Sequence, residues 1–132
     1  MQSTHSNYLG GMEQLQNLIG GQLQGSTKDK WLDNIEPATG AVYGQIPRSD
    51  ADDVELAVQA AAKAFPQWSN RSFEDRSECL RRWAKIVAQH AGELVRAESK
   101  DNGKPISLAE AVDIPRAQKN LEFFAGAIEH FA

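Results

Sequence analysis

Hydrophobic and polar positions along the chain change their period partway. Residues 1 to 16 are polar and aperiodic and read as a mobile N-terminal tail, with the organised segment running from 17 to 132. Leu18-Ile19-Gly20-Gly21-Gln22-Leu23 sets short apolar positions on both sides of Gly-Gly, which predicts a tight hairpin. Trp31 to Ile35 follows as a strand, Pro37 to Gly40 as a turn and Ala41 to Ile46 as the returning strand. Thr39-Gly40 gives that turn a residue that tolerates positive φ.

From Ser49 the period becomes helical. Val54, Val58, Ala61 and Phe65 recur at spacings of three and four, with Ser49 or Asp50 as N-cap and Pro66 as the stop. Asp52, Asp53 and Glu55 sit where the helix dipole favours negative charge. Ser72 with Asp75 opens a second helix as a capping-box-like pair, whose stripe is Cys79, Leu80, Trp83, Ile86 and Val87, with a break near Gly92. A third helix from Glu93 to about Lys100 buries Leu94, Val95 and Ala97, with Gly103 as its left-handed C-cap and Pro105 preventing continuation. The last begins near Ser107, and Pro115 is expected to kink it or divide it in two. Its apolar positions Val112, Leu121, Phe124 and Ile128, with Phe123, Ala125 and Phe131 beside them, exceed one stripe, so this helix is expected to pack on something further. The result is a mainly helical α+β fold, with N-terminal β-hairpins followed by about four helices.

Composition narrows the function classes. A length of 132 residues suits one domain, and 41% hydrophobic with 24% charged residues is ordinary for a globular chain. Net charge is −4 and no basic stripe interleaves with aromatics, which argues against a nucleic-acid partner. Arg81-Arg82 is the only basic doublet and reads as a solvated helix face. The first basic residue is Lys28, no secretory or Arg-rich leader pattern is present, and no apolar run approaches a membrane span, so a cytoplasmic location is expected.

Candidate chemistry is sparse. Cys79, the only thiol, falls in an apolar stripe and is expected to be a core residue rather than a nucleophile. His5, His90 and His130 lack paired-ligand spacing; His90 suits a helix C-terminus. Gly103-Lys104 is not a phosphate loop, because Glu98 stands where a glycine is needed and Pro105 where a hydroxyl would meet magnesium. Glu74-Asp75 and Glu110/Asp113 read as solvated faces or caps. Asp101 has two readings, a turn residue bonding local backbone and a cation ligand; the first is the commoner role.

Several motifs follow one another in order: PATG at 37 to 40, DDVELAVQAAAKAFPQW at 52 to 68, DRS at 75 to 77 and DNGKP at 101 to 105. Each is weak alone, but in this order the segment from 18 to 132 resembles the N-terminal portion of the NAD(P)-dependent aldehyde dehydrogenase superfamily. AESKDNGKP and VDIPRAQKNLEFFA are most similar to the branch acting on 2-aminomuconic and 2-hydroxymuconic semialdehydes, and betaine-aldehyde-type enzymes come next. The resemblance implies the outer part of a nucleotide-binding domain, incomplete here. It places the family's catalytic thiol, general-base glutamate, oxyanion-hole asparagine and glycine-bearing cofactor segment beyond Ala132. Catalytic and cofactor-binding residues are therefore expected to be none. NAD or NADP would serve the full-length enzyme, a homo-oligomer, and no cofactor is expected for this chain alone. Some members hold a monovalent cation with backbone oxygens before the NPATG turn and the aspartate of DNGKP, which implies Asn34, Ile35 and Asp101; Glu36 departs from the family's usual Asn or Asp. The expected partner is the remainder of the enzyme or a full-length subunit, onto which a standalone module would dock through the final helix.

Overall fold

The computed structural model describes residues 7–9 and 12–130, the side chains from residue 12 onward. The chain divides into two units, one up to Pro66 and one from Gln67.

In the first unit, strands β1 (Asn7–Leu9), β2 (Met12–Gln14), β5 (Trp31–Ile35) and β6 (Val42–Pro47) form a sheet in the order β1-β2-β6-β5. β2 lies parallel to β6, with Glu13 opposite Gly44, while the other two pairings are antiparallel. Gly44 is required here: a Cβ at this position would meet the Glu13 carbonyl oxygen at 2.8 Å. Two strands thus fall within the segment predicted as a tail. Their pairing comes from the open edge of β6, a long-range partner that local polarity does not reveal.

β3 (Asn17–Ile19) and β4 (Gln22–Gln24) form the predicted hairpin separately from that sheet. Gly20 and Gly21 take φ of 59° and 80°, which a tight primed turn requires and only glycine adopts at little cost. The β5–β6 hairpin also stands where expected, with Gly40 donating to the Glu36 carbonyl at 2.8 Å.

Helix α1 (Ala51–Ser69) does not stop at Pro66, which lies inside it. The proline removes only the N–H owed to the Ala62 carbonyl, and so near the end this is tolerated. Val54, Val58 and Phe65, the predicted stripe, are 60%, 56% and 64% exposed. Its period is helical, but the buried residue of α1 is Asp53.

The second unit is built on α2 (Phe73–Gln89) against α5 (Ile114–His130). Ser77, Ala84 and Ala125 are buried at this contact, and such small side chains let two helices approach closely. The predicted stripe of α2 is displaced accordingly: Leu80 and Val87 are half-buried, while Trp83 and Ile86 are exposed. The break falls at His90, not Gly92. His90 is the C-cap of α2 and the N-cap of α3 (Ala91–Asn102), and its backbone at φ −103°, ψ 14° turns the chain alone. Val95 is buried on α3, whereas Leu94 and Ala97 are exposed.

The helix predicted from Ser107 begins at Ile106 and is divided. A single turn, α4 (Ile106–Leu108), passes into a π-helical segment (Ala109–Asp113) before α5. Pro115 explains the division, since it can neither donate to Ala111 nor tolerate that carbonyl in an α-helical turn. Phe123 and Phe124 are 67% and 58% exposed, in keeping with the expectation that this helix exceeds one stripe; Phe131 lies outside the described residues. No helix among the described residues is long and apolar enough to cross a membrane.

Candidate functional site

The three residues expected at a cation site fall in different units. Asn34 and Ile35 are neighbours at the end of β5, in the first unit. The register slips between them, Asn34 facing Gly44 and Ile35 facing Val42, so a bulge reorients the backbone there. Asn34 Nδ2 donates to Tyr43 Oη at 2.8 Å, and Ile35 is 51% exposed. Despite Glu36, the following turn closes: Thr39 Oγ1 donates to the Glu36 carboxylate at 3.2 Å, and Glu36 N–H reaches the Ala41 carbonyl at 2.9 Å. Asp101 is exposed near the end of α3, in the second unit. No three side chains of His, Cys, Asp or Glu converge among the described residues, so backbone oxygens would have to contribute to any cation site.

The DNGKP turn around Asp101 is built by its neighbours. Gly103 takes φ 76° as the predicted left-handed cap, its N–H donating to the Ser99 carbonyl at 2.9 Å. Asn102 Oδ1 accepts from Lys104 N–H at 2.9 Å, and Ser99 Oγ donates to the Lys104 carbonyl at 2.7 Å. Lys104 Nζ then reaches Glu98 at 3.0 Å and Asp113 at 2.6 Å. Asp113 first, and then Glu98, hold the Lys104 ammonium above its ordinary range by accepting its protons. Asp113 is thus an ion-pair partner rather than a solvated face. The sequence signal was the lysine of the motif itself, read only as a failed phosphate loop.

Arg81 is likewise not merely solvated. It places Nη2 3.0 and 2.9 Å from the two oxygens of Glu129 on α5, while the fully buried Ser77 donates to Glu129 Oε1 at 2.7 Å. The Ser77 hydroxyl first, and then Arg81, hold the Glu129 carboxyl below the usual range.

Cys79 is half-buried rather than in the core. It lies about 200° around α2 from Ser77, and its sulfur receives Arg71 Nη1 at 3.5 Å and Arg82 Nη2 at 3.3 Å. Guanidinium groups only donate, so neither can serve as a base for this thiol. His90 Nδ1 lies 3.2 Å from Glu93, His130 is the last residue of α5, and His5 lies outside the described residues.

Helix N-termini bind phosphate through free amides, but at α1 those amides already face carboxylates. Asp50 Oδ1 accepts from Asp52 N–H at 3.0 Å, so Asp50 is the N-cap. Asp53 reaches back to the Asp50 N–H at 2.9 Å and also accepts from Thr27 N–H at 2.7 Å. At α2 the Ser72 hydroxyl accepts from Asp75 N–H at 3.1 Å, beside Glu74 and Asp75.

Comparison with known proteins matches residues 23–132 to the model of the aldehyde dehydrogenase family. The bovine (Bos taurus) 2-aminomuconic semialdehyde dehydrogenase is 47% identical over 92% of this chain and 24% of its own length. Among solved structures, the gamma-glutamyl-gamma-aminobutyraldehyde dehydrogenase of Burkholderia cenocepacia superposes with a TM-score of 0.84 at 33% identity, over 86% of this chain and 24% of that one. PnpE in complex with nicotinamide adenine dinucleotide gives 0.83 at 31%, over 85% and 23%. The chain spans about a quarter of the length of the curated relatives it matches.

Proposed function

Because this chain belongs to the aldehyde dehydrogenase family, we propose that it forms the N-terminal scaffold of an enzyme oxidising an aldehyde to a carboxylate with NAD(P)+, and that alone it is catalytically inactive. A muconic semialdehyde is the favoured substrate of the whole enzyme, on the strength of the likeness to 2-aminomuconic semialdehyde dehydrogenases at 42–47% identity. One observation carries the reading of scaffold: the only thiol sits between two guanidinium donors, while large apolar side chains on α1, α2 and α5 stay exposed. Attack on an aldehyde needs a thiolate with an adjacent base and oxyanion donors. In the whole enzyme, backbone oxygens at Asn34 and Ile35 with the Asp101 carboxylate hold a monovalent cation, and the assembly is a cytoplasmic homo-oligomer.

A second reading is favoured by Phe123 and Phe124, packed edge to face at 5.3 Å and exposed on α5. In it, the chain is a non-catalytic module that binds a full-length subunit through this helix. Following NADH absorbance with a muconic semialdehyde tests the first reading, and turnover by the 132-residue chain alone would overturn it. Intact mass from the native source separates the two readings: about 14.5 kDa favours the module, and several times that value the scaffold.

A further inference from the structure

We propose that Lys104 is a strap that holds the chain from Ile106 to Ile114 in its wide, π-helical register, and that this register forms the cavity beside α3. The cavity, about 230 Å³, is lined by Val95 and Arg96 of α3, by Ile106 and Glu110 ahead of or within the π segment, and by Ile114 and Gln118 after it. Its walls therefore come from both sides of the irregularity. The bond that defines the register runs from Ile114 N–H to the Ala109 carbonyl, a span of five residues instead of four.

Both ends of the segment are pinned. Upstream, Ser99 and Asn102 fix the Lys104 backbone to the end of α3. Downstream, Ser77 and Arg81 of α2 grip Glu129, and Ala125 is fully buried on α5. The Lys104–Asp113 bond crosses the wide turn from one end to the other. Narrowing that turn to the α-helical spacing would move the upstream chain by about 1.5 Å and rotate it by about 100° relative to α5. The ammonium would leave Asp113, and Ile106 and Glu110 would leave their places opposite Ile114 and Gln118. Pro115 disfavours the narrow register through its missing N–H, while Lys104 favours the wide one through the ion pair. Two separate groups thus bias one helical turn, and the cavity exists in only one of its two states.

The acceptor of the Ile114 amide can be read in the isotope-labelled full chain by scalar coupling across the hydrogen bond. Coupling to the Ala109 carbonyl is expected. In Lys104→Met and in Asp113→Asn that coupling should vanish or pass to Glu110, with amide exchange over residues 109–114 roughly tenfold faster and α2 unchanged. Glu98→Gln, which leaves the Asp113 contact in place, should retain it. Coupling to Glu110 in the unaltered chain overturns the proposal, as does a Lys104→Met and Asp113→Asn pair indistinguishable from it. Protection lost evenly across α2 and α5, or absent from 109–114 at the outset, overturns it too, because the strap acts locally on a formed turn.

Discussion

The two units are held together by different physics. All four buried apolar residues among those described, Ala84, Val95, Ala109 and Ala125, belong to the second unit. Among the described residues of the first unit the buried side chains are Ser26 and Asp53, both polar and both hydrogen-bonded to backbone. One unit is thus organised by directional bonds at a helix N-terminus, the other by close approach of small side chains. The contrast has a consequence for stability. Hydrophobic burial is the largest favourable term in folding, and among the described residues neither unit buries a large apolar side chain fully. An isolated 132-residue chain is expected to be marginal or to aggregate, and a sharp cooperative melt at micromolar concentration would contradict that.

Replacing Asp53 with Ala should have the largest effect, about 3 kcal/mol, because two backbone donors lose a charged acceptor together. Amide exchange would show it first at Thr27 and Asp50, with α5 unaffected; equal loss in both units would erase the contrast. Enlarging Ala125 to Leu should cost about 2 kcal/mol by forcing α2 and α5 apart, read as a lower denaturant midpoint with the Thr27 amide still protected.

Acid sharpens the comparison. Lys28 first, through its bond to the carboxylate, holds Asp50 below the usual range in the first unit, as Ser77 holds Glu129 in the second. Both carboxyls bind a proton less readily folded than unfolded. Their stabilisation is therefore complete above the ordinary carboxylate range and is lost as pH falls through the lower folded values. Added salt should weaken the exposed Lys28–Asp50 pair more than the bond from buried Ser77, since only exposed charges are well screened. Salt titrations followed at Thr27 and at Ser77 would separate them; equal sensitivity would count against the distinction. The smallest effect is expected from Phe123→Ser with Phe124→Ser: within about 0.5 kcal/mol in stability, yet a clear gain in solubility by light scattering.

Much of the fold was legible because its signals are local. Gly20-Gly21, Thr39-Gly40, Ser72 with Asp75, and Gly103 act through their own backbone geometry, and each stands where its chemistry requires. What the sequence concealed depends on partners far along the chain. Nothing near Met12 announces its place beside β6. The helical stripes had the right period, but the contact between α2 and α5 is made by Ser77, Ala84 and Ala125, which a search for large apolar residues passes over. Cys79 followed the apolar period yet faces two arginines, for the same reason. The candidate cation residues came from family likeness, since Asn34, Ile35 and Asp101 carry no spacing that would single them out. Lys104 was visible in its motif, but its partner Asp113 became meaningful only with the π turn between them.

His90 ends one helix and begins the next, and that joint has no slack. A residue inserted there would rotate everything beyond it by about 100° about the helix axis, carrying Val95 out of its buried position. Inserted between Gly20 and Gly21, the same residue would only lengthen a hairpin loop. The chain is thus expected to accept changes in length at its early turns and to refuse them at residue 90, a fixed corner in an otherwise adjustable thread.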